Sequence, residues 1–247
     1  MPRFFVKPEQ IFEDRVVIEA EDAHHIARSL RMATGESLTV CDTQGYEYDC
    51  RISSFEGDRA VYAEILEKRR SEREPSCRIR LFQALPKGDK LDTVIQKAVE
   101  CGVSEIIPFE SERCIVKRRA DGEERKNERR ARIAAEAAKQ CGRSVIPAVK
   151  PTIDFCQMLE SASESALCLF CYEGEGTKPL GRILAEHGNG ASDIAVVIGS
   201  EGGFSPEEAE TAQARGMQMT GLGKRILRTE TASSFVLACL VCATELQ

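Results

Sequence analysis

The residues best suited to chemistry in this 247-residue chain lie near its end. Ile194 to Phe204 reads IAVVIGSEGGF, so Gly199, Gly202 and Gly203 stand at the carboxyl end of a continuous apolar run. Glycines there let backbone amides approach a ligand closely, and α/β sheets bind ligands at that edge. The same spacing also suits a tight strand-to-helix turn that binds nothing. Familiar motifs fail on spelling: the loop is not GxGxxG, no Gly-Lys-Ser/Thr follows it, and Ser200 directly follows Gly199 rather than sitting in a hydrolase elbow. A second loop, Thr220-Gly221-Leu222-Gly223, opens onto the basic stretch Lys224 to Arg228 and then Glu230. Eleven cysteines include two CxxC pairs, Cys168/Cys171 and Cys239/Cys242. Both pairs enclose apolar residues where zinc knuckles need turns, so they read as small buried hydrophobes. His24, His25 and His187 have no partner at ligand spacing, and no metal is expected.

The elements around these loops can be read from periodicity. Ser205 can cap a helix to Gly216, with Pro206 at its first position and Glu208 closing a capping box; the cap is worth roughly 1 kcal/mol. A last helix from about Thr231 carries Phe235, Val236, Cys239, Leu240 and Ala243 on its inner face. Upstream, Ile79–Leu85 and Val103–Phe109 suit strands, and Leu91, Val94, Ile95, Ala98 and Val99 stripe a helix. Arg129–Cys141 suits another helix, while Leu167–Tyr172 and Ile194–Ile198 are unbroken apolar runs. Such runs are what parallel strands covered on both faces require, so this region is predicted to be α/β. Residues 1–72 read instead as short strands and turns, interrupted by a helix over Asp22–Met32 with Ala23, Ile26, Ala27 and Leu30 on one face. The charged stretch Lys68–Ser76 reads as a linker, giving two domains, 1–72 and 73–247.

Composition bounds the function. Hydrophobic residues make up 42% and charged ones 30%, ordinary for a globular chain. No apolar run approaches the length of a membrane span, and MPRFFVKPEQ lacks a signal-peptide core, so a cytoplasmic location is expected. The net charge of -6 argues against a polyanionic partner. Yet Arg113 to Arg132 holds nine basic side chains against four acidic ones, which is either a solvated face or a phosphate-binding one.

The paired motifs IGSEGGFSPEE and LGKRILRTETA resemble the signature of the SPOUT class of S-adenosylmethionine-dependent RNA methyltransferases. Within it the chain is similar to the RsmE family, which methylates N3 of a uridine in 16S ribosomal RNA. Arg3-Phe4-Phe5, His25–Arg31, Gln83–Lys90, Lys97–Val103 and Ala135–Pro147 look like further landmarks, with Cys141 where a small polar serine is expected. The resemblance implies a small PUA-like β-barrel that binds RNA, then a SPOUT α/β domain tied in a deep trefoil knot and paired as a homodimer through it. It implies donor-binding loops comprising Leu169, Tyr172 and Glu173; Ile198, Gly199, Ser200, Gly202 and Gly203; and Leu222, Gly223, Ile226, Leu227 and Arg228, with Thr231 beside them. Uracil N3 must lose a proton to attack a methylsulfonium, so Arg228 would stabilise the developing anion, and Glu201 or Glu230 would be the base. Contacts to 16S rRNA in the small subunit would come from Arg3, His25, Arg28 and Arg31 in the barrel and from Arg113, Lys117, Arg129 and Arg132 beyond it. Competing readings are a non-catalytic RNA-binding assembly factor and a metal enzyme built on the CxxC pairs.

Overall fold

A computed structural model describes residues 1–118, 122–187 and 191–246. Contacts divide the chain into two units, Met1–Glu74 with Ala138–Ile146, and Pro75–Ala137 with Pro147–Gln247.

The first unit opens with β1 (Arg3–Phe5), a 3-10 turn at Pro8–Gln10, and β2 (Arg15–Glu19). Next come α1 (Ala20–His24), running on into a π turn at His25–Ser29, then β3 (Ser37–Cys41), β4 (Tyr46–Glu56) and β5 (Ala60–Arg70). The ladder runs β1-β3-β4-β5-β2. Alternating residues from all five strands, including Phe4, Val16, Leu38, Ile52 and Val61, share one buried core with Ile26. Two expectations change. The helix over Asp22–Met32 forms as a short α segment and a wider turn, in which Leu30 N–H donates to the His25 carbonyl five residues back (2.9 Å). That extra residue per turn leaves Leu30 42% exposed, while Ala23 and Ile26 stay buried. The charged stretch read as a linker is strand through Arg70, because β5 pairs Arg70 with Tyr46, and Lys68 lies 4.5 Å over the Tyr46 ring.

The second unit contains β6 (Arg78–Ala84), α2 (Lys90–Glu100), β7 (Glu105–Glu110), α3 (Glu123–Cys141), β8 (Ala148–Val149), β9 (Ile153–Asp154) and α4 (Phe155–Ser163). It continues with β10 (Leu167–Cys171), β11 (Lys178–Pro179), α5 (Leu180–His187), β12 (Asp193–Ile198), α6 (Pro206–Ala214), β13 (Gln218–Gly221) and α7 (Thr229–Thr244). Every strand pair is parallel, in the order β11-β13-β10-β12-β6-β7-β8 with β9 beside the end of β7. The near-continuous burial of β6, β7, β10 and β12 is the pattern of a sheet covered on both faces. The chain runs outward from β6 to β7 and β8, then returns to build the other half from β10, β12 and β13. The β6/β12 border is therefore a topological switch point of the sheet.

Helix α3 begins at Glu123, six residues before the expected start at Arg129, because that first stretch is charged and carries no periodic signal. On α7 the buried side is Ala232, Ser233, Val236, Leu237 and Leu240, and Phe235, expected inside, is 42% exposed. The helix is apolar on most sides, so periodicity did not single out one face. Cys168 is buried and burial pushes its thiol up to about 12, but Cys242 is exposed, so the second CxxC pair is not core. Among the described residues no three His, Cys, Asp or Glu side chains gather as a metal-ligand set. No described helix is long and apolar enough to cross a membrane.

Candidate functional site

Because β13, β10 and β12 are parallel neighbours, their carboxyl ends emerge side by side. The loops that follow them, around Tyr172–Thr177, Gly199–Phe204 and Leu222–Arg228, enclose a cavity of about 710 Å³, within the roughly 300–1,000 Å³ usual for small-molecule sites. The wall has little room for larger residues. A Cβ on Gly202 would lie 3.0 Å from Arg113 Cβ and 3.2 Å from the Arg113 carbonyl oxygen. Gly203 adopts φ +65°, which lets its N–H donate to the Ser200 carbonyl at 3.0 Å.

The loop after β12 is fixed at both ends. Phe204 is 3% exposed and packs on Phe170, with ring centroids 4.3 Å apart, and on Phe109 at 6.3 Å. Ser205 then caps α6: its Oγ accepts from Glu208 N–H at 3.3 Å, and its N–H donates to Glu208 Oε2 at 3.0 Å. Glu208 Oε1 also accepts from the Glu112 N–H at 2.8 Å, tying in the loop after β7. At the other end Thr229 Oγ1 donates to the Gly199 carbonyl at 2.6 Å and accepts from Gln83 Nε2 at 2.9 Å. Gln83 Oε1, Ser200 Oγ and Glu230 Oε2 are buried with no hydrogen-bond partner among the described residues. The open glycine cradle and the orphaned Ser200 hydroxyl in its wall are features that a polar ligand would complete.

Glu201 lines the cavity, where it accepts from the Lys87 N–H at 3.1 Å and from Lys90 Nζ at 2.7 Å. Burial pulls its carboxyl up, but the bonds from Lys90 and the backbone outweigh that and hold it below the usual carboxylate range. Glu230 lies outside the lining, with Oε2 3.6 Å from Lys90 Nζ. Lys90 thus stands between the two carboxylates, and of the pair only Glu201 faces the cavity.

The cavity also gathers Tyr172, Glu173, Ile198, Gly199, Ser200, Gly202, Gly203, Leu222, Gly223, Ile226, Leu227 and Arg228. Two residues expected with them stand apart. Leu169 is fully buried inside β10, short of the loop. Thr231 is exposed, because α7 starts at Thr229 and helical spacing turns Thr229 and Ala232 to the cavity instead. Lys90, Phe204, Lys224, Arg225 and Thr229 line the site without having been singled out. Phe204, Lys224, Arg225 and Thr229 lie within the two paired motifs and Lys90 ends the landmark Gln83–Lys90, but its place in the wall follows from the pairing of β6 with β12.

Many of the expected RNA-contacting cations already have partners. Arg3 pairs with Glu47 at 2.9 Å and is nearly buried, and Arg28 pairs with Asp58 at 3.2 Å. His25 is exposed beside Phe4, and Arg31 is exposed at φ +52° just after the π turn. Beyond β7, Arg113 lines the cavity and donates to the Gly202 carbonyl at 3.3 Å. Lys117 pairs with Glu110 at 3.1 Å, Arg129 with Asp92, while Arg132 is exposed. Arg119 and Asp121 of the basic run lie outside the described residues.

The RNA methyltransferase domain family matches residues 72–241, and the RNA methyltransferase PUA domain family matches residues 18–66. The ribosomal RNA small subunit methyltransferase E of Bacillus subtilis is 34% identical over 254 residues, covering 100% of this chain and 98% of that protein. The protein of the same name from Synechocystis is 32% identical over 237 residues, covering 96% of this chain and 76% of that one. Among solved structures, the ribosomal RNA small subunit methyltransferase E of Neisseria gonorrhoeae bound to S-adenosyl methionine aligns with a TM-score of 0.84 at 32% identity, covering 98% of this chain and 97% of that one. The likeness runs the full length and carries the same two domains in the same order, so the chain belongs to the RsmE family of RNA methyltransferases.

Proposed function

We propose that this protein is an S-adenosylmethionine-dependent RNA methyltransferase whose target is N3 of a uridine in 16S ribosomal RNA of the small subunit. The observation that carries the reading is the cavity enclosed by three loops at the carboxyl edge of the parallel sheet, with Arg228, Lys90 and Glu201 in its wall. The donor supplies a methyl group on a sulfonium, which passes to N3 as the methyl–sulfur bond breaks and leaves a thioether. The backbone around Gly199–Gly203 and at Leu222 and Leu227 holds the donor, and Tyr172 and Glu173 close the third side. Arg228 faces the uracil and stabilises the imide anion. Glu201, kept ionised by Lys90, accepts the N3 proton as the new bond forms. Glu230 acts through Lys90, its charge helping to hold the ammonium in place.

Under this reading the chain threads into the deep knot of the SPOUT class around those loops, and the protein works in the cytoplasm. The N-terminal domain, 1–72, grips RNA with His25, Arg28 and Arg31 on and beside the π turn. Two copies pair through the knot domain, and the exposure of Phe235 (42%) and Ile226 (83%) supports such a covered face. The test is transfer of labelled methyl from S-adenosylmethionine to unmodified small subunits, followed by nucleoside analysis. The expected product is 3-methyluridine at one position. RNA binding with neither donor binding nor transfer would make the protein a non-catalytic assembly factor instead.

A further inference from the structure

The charge on the cavity wall is at odds with the charge of the donor. Lys90, Arg113, Lys224, Arg225 and Arg228 line it, against only Glu173 and Glu201. Lys90 is satisfied by Glu201 at 2.7 Å, and Arg113 is partly satisfied by the Gly202 carbonyl. Lys224, Arg225 and Arg228 are exposed, and their side chains have no carboxylate or hydrogen-bond partner among the described residues. S-adenosylmethionine carries a sulfonium and an ammonium against one carboxylate, so its net charge is positive. A wall of the same sign opposes its entry. The donor therefore does not account for these cations, and an anion would.

The surroundings of the loop suit an anion of a particular kind. Gly223 sits at φ +108° with nothing within 4 Å of where its Cβ would be, so Lys224 and Arg225 follow a turn that faces open space. A base entering the cavity brings its own flanking phosphates to that rim. The basic segment before and along α3, which looks like the stronger phosphate site in sequence, commits several of its cations internally: Lys117 to Glu110, Lys126 and Arg130 to Glu123, and Arg129 to Asp92.

We propose that Lys224 and Arg225 form the subsite for the phosphates flanking the target nucleotide. By neutralising the wall, bound RNA then strengthens donor binding, and the donor strengthens RNA binding by the same factor. The proposal rests on the RNA methyltransferase reading, and it is tested by binding rather than turnover so that the two can fail separately.

The variants are K224Q/R225Q and, for comparison, R129Q/R132Q. The probes are fluorescein-labelled single-stranded oligouridine and S-adenosylmethionine by calorimetry, with circular dichroism as the folding control. K224Q/R225Q is expected to lose about tenfold or more in oligouridine affinity, and its log–log salt slope falls by about two. Its donor affinity stays equal to the wild type or becomes tighter. Adding oligouridine to the wild type tightens donor binding, and in the double variant that effect shrinks. A folded K224Q/R225Q that keeps its oligouridine affinity, or that loses donor affinity in parallel, overturns the proposal. So does a larger loss of oligouridine affinity in R129Q/R132Q. Wild-type protein that binds both probes but transfers no methyl group would count against the proposed function and leave the subsite standing.

Discussion

Helix α3 and the loop after β13 draw on the same side chains and use them in opposite ways. On α3, Arg130 is only 8% exposed and its Nη1 donates to Glu123 Oε1 at 3.2 Å, Asn127 Oδ1 at 3.1 Å and Thr152 Oγ1 at 3.2 Å. Thr152 Oγ1 donates in turn to Glu123 Oε1 at 2.7 Å, closing a compact network around the buried Arg130 and Thr152. In the loop after β13, Lys224, Arg225 and Arg228 face an open cavity with no such partner among the described residues. A helix repeats every three to four residues, so its cations find carboxylates on their own face and on the elements packed beside them. A loop over a cleft offers none. Counting charge along the sequence measures supply; only geometry tells how much of it is left for a ligand.

The comparison can be broken most sharply at Arg130. Replacing it with alanine leaves the half-buried Glu123 with only the Lys126 cation, 3.8 Å away, and removes the charged donor shared with Asn127 and Thr152, so a loss of about 1.5–3 kcal/mol is expected in urea unfolding. Burial pulls the Glu123 carboxyl up, but the Thr152 bond and the Arg130 charge pull it further down, below its ordinary value. Its contribution is therefore fully present above the unfolded pKa and fades as pH falls through the lower folded value. Arg130→Ala should flatten that acid limb as well as lower the plateau. A loss under about 1 kcal/mol would mean that α3 holds its arginines as loosely as the loop does.

Thr152→Val tests the same network from its neutral member and should cost about 1–3 kcal/mol, since it removes a donor to Glu123 and an acceptor from the buried Arg130. A thermal scan that places this variant level with the wild type would confine the network to the ion pair. The smallest effects belong to exposed groups. Arg129→Ala should change stability by about 0–1 kcal/mol despite its pairing with Asp92, and K224Q/R225Q by no more than about 0.5 kcal/mol. Marked destabilisation by the loop changes would show that those cations support the fold rather than await an anion.

Much of this was legible where local chemistry decides. The α6 capping box from Ser205 to Glu208 forms as spelled, and the two glycine-rich loops after β12 and β13 line one cavity, while the segment after β10 was indicated only by the family resemblance. Other features depend on information that spacing does not carry. Lys90 reaches Glu201 only because β6 pairs with β12, more than a hundred positions away in sequence. Arg130 reads as one cation in a basic run until β9 and the adjoining Thr152 close over it. On α7 the buried stripe is turned from the expected one, with Val236, Leu237 and Leu240 inside where Phe235, Val236 and Cys239 were expected, and with Ala232 and Ser233 one turn before them. Ser233 turns inward by bonding to the Thr229 and Glu230 carbonyls, and a hydrophobicity count passes over such a residue.

The border between β6 and β12 also bears on how the protein comes to exist. Strand β6 has β7 on one edge, close behind it in the chain, and on the other edge β12, which ends at Ile198. During synthesis β6 and β7 emerge long before β12, so an apolar central strand waits with one ladder of N–H and C=O groups unmatched. Long-range parallel pairing of this kind is slow, and its intermediates are prone to stick. A chain stopped short of Asp193 would keep that edge open permanently, making chain completion, more than the stability of any one helix, the step that protects this protein from aggregation.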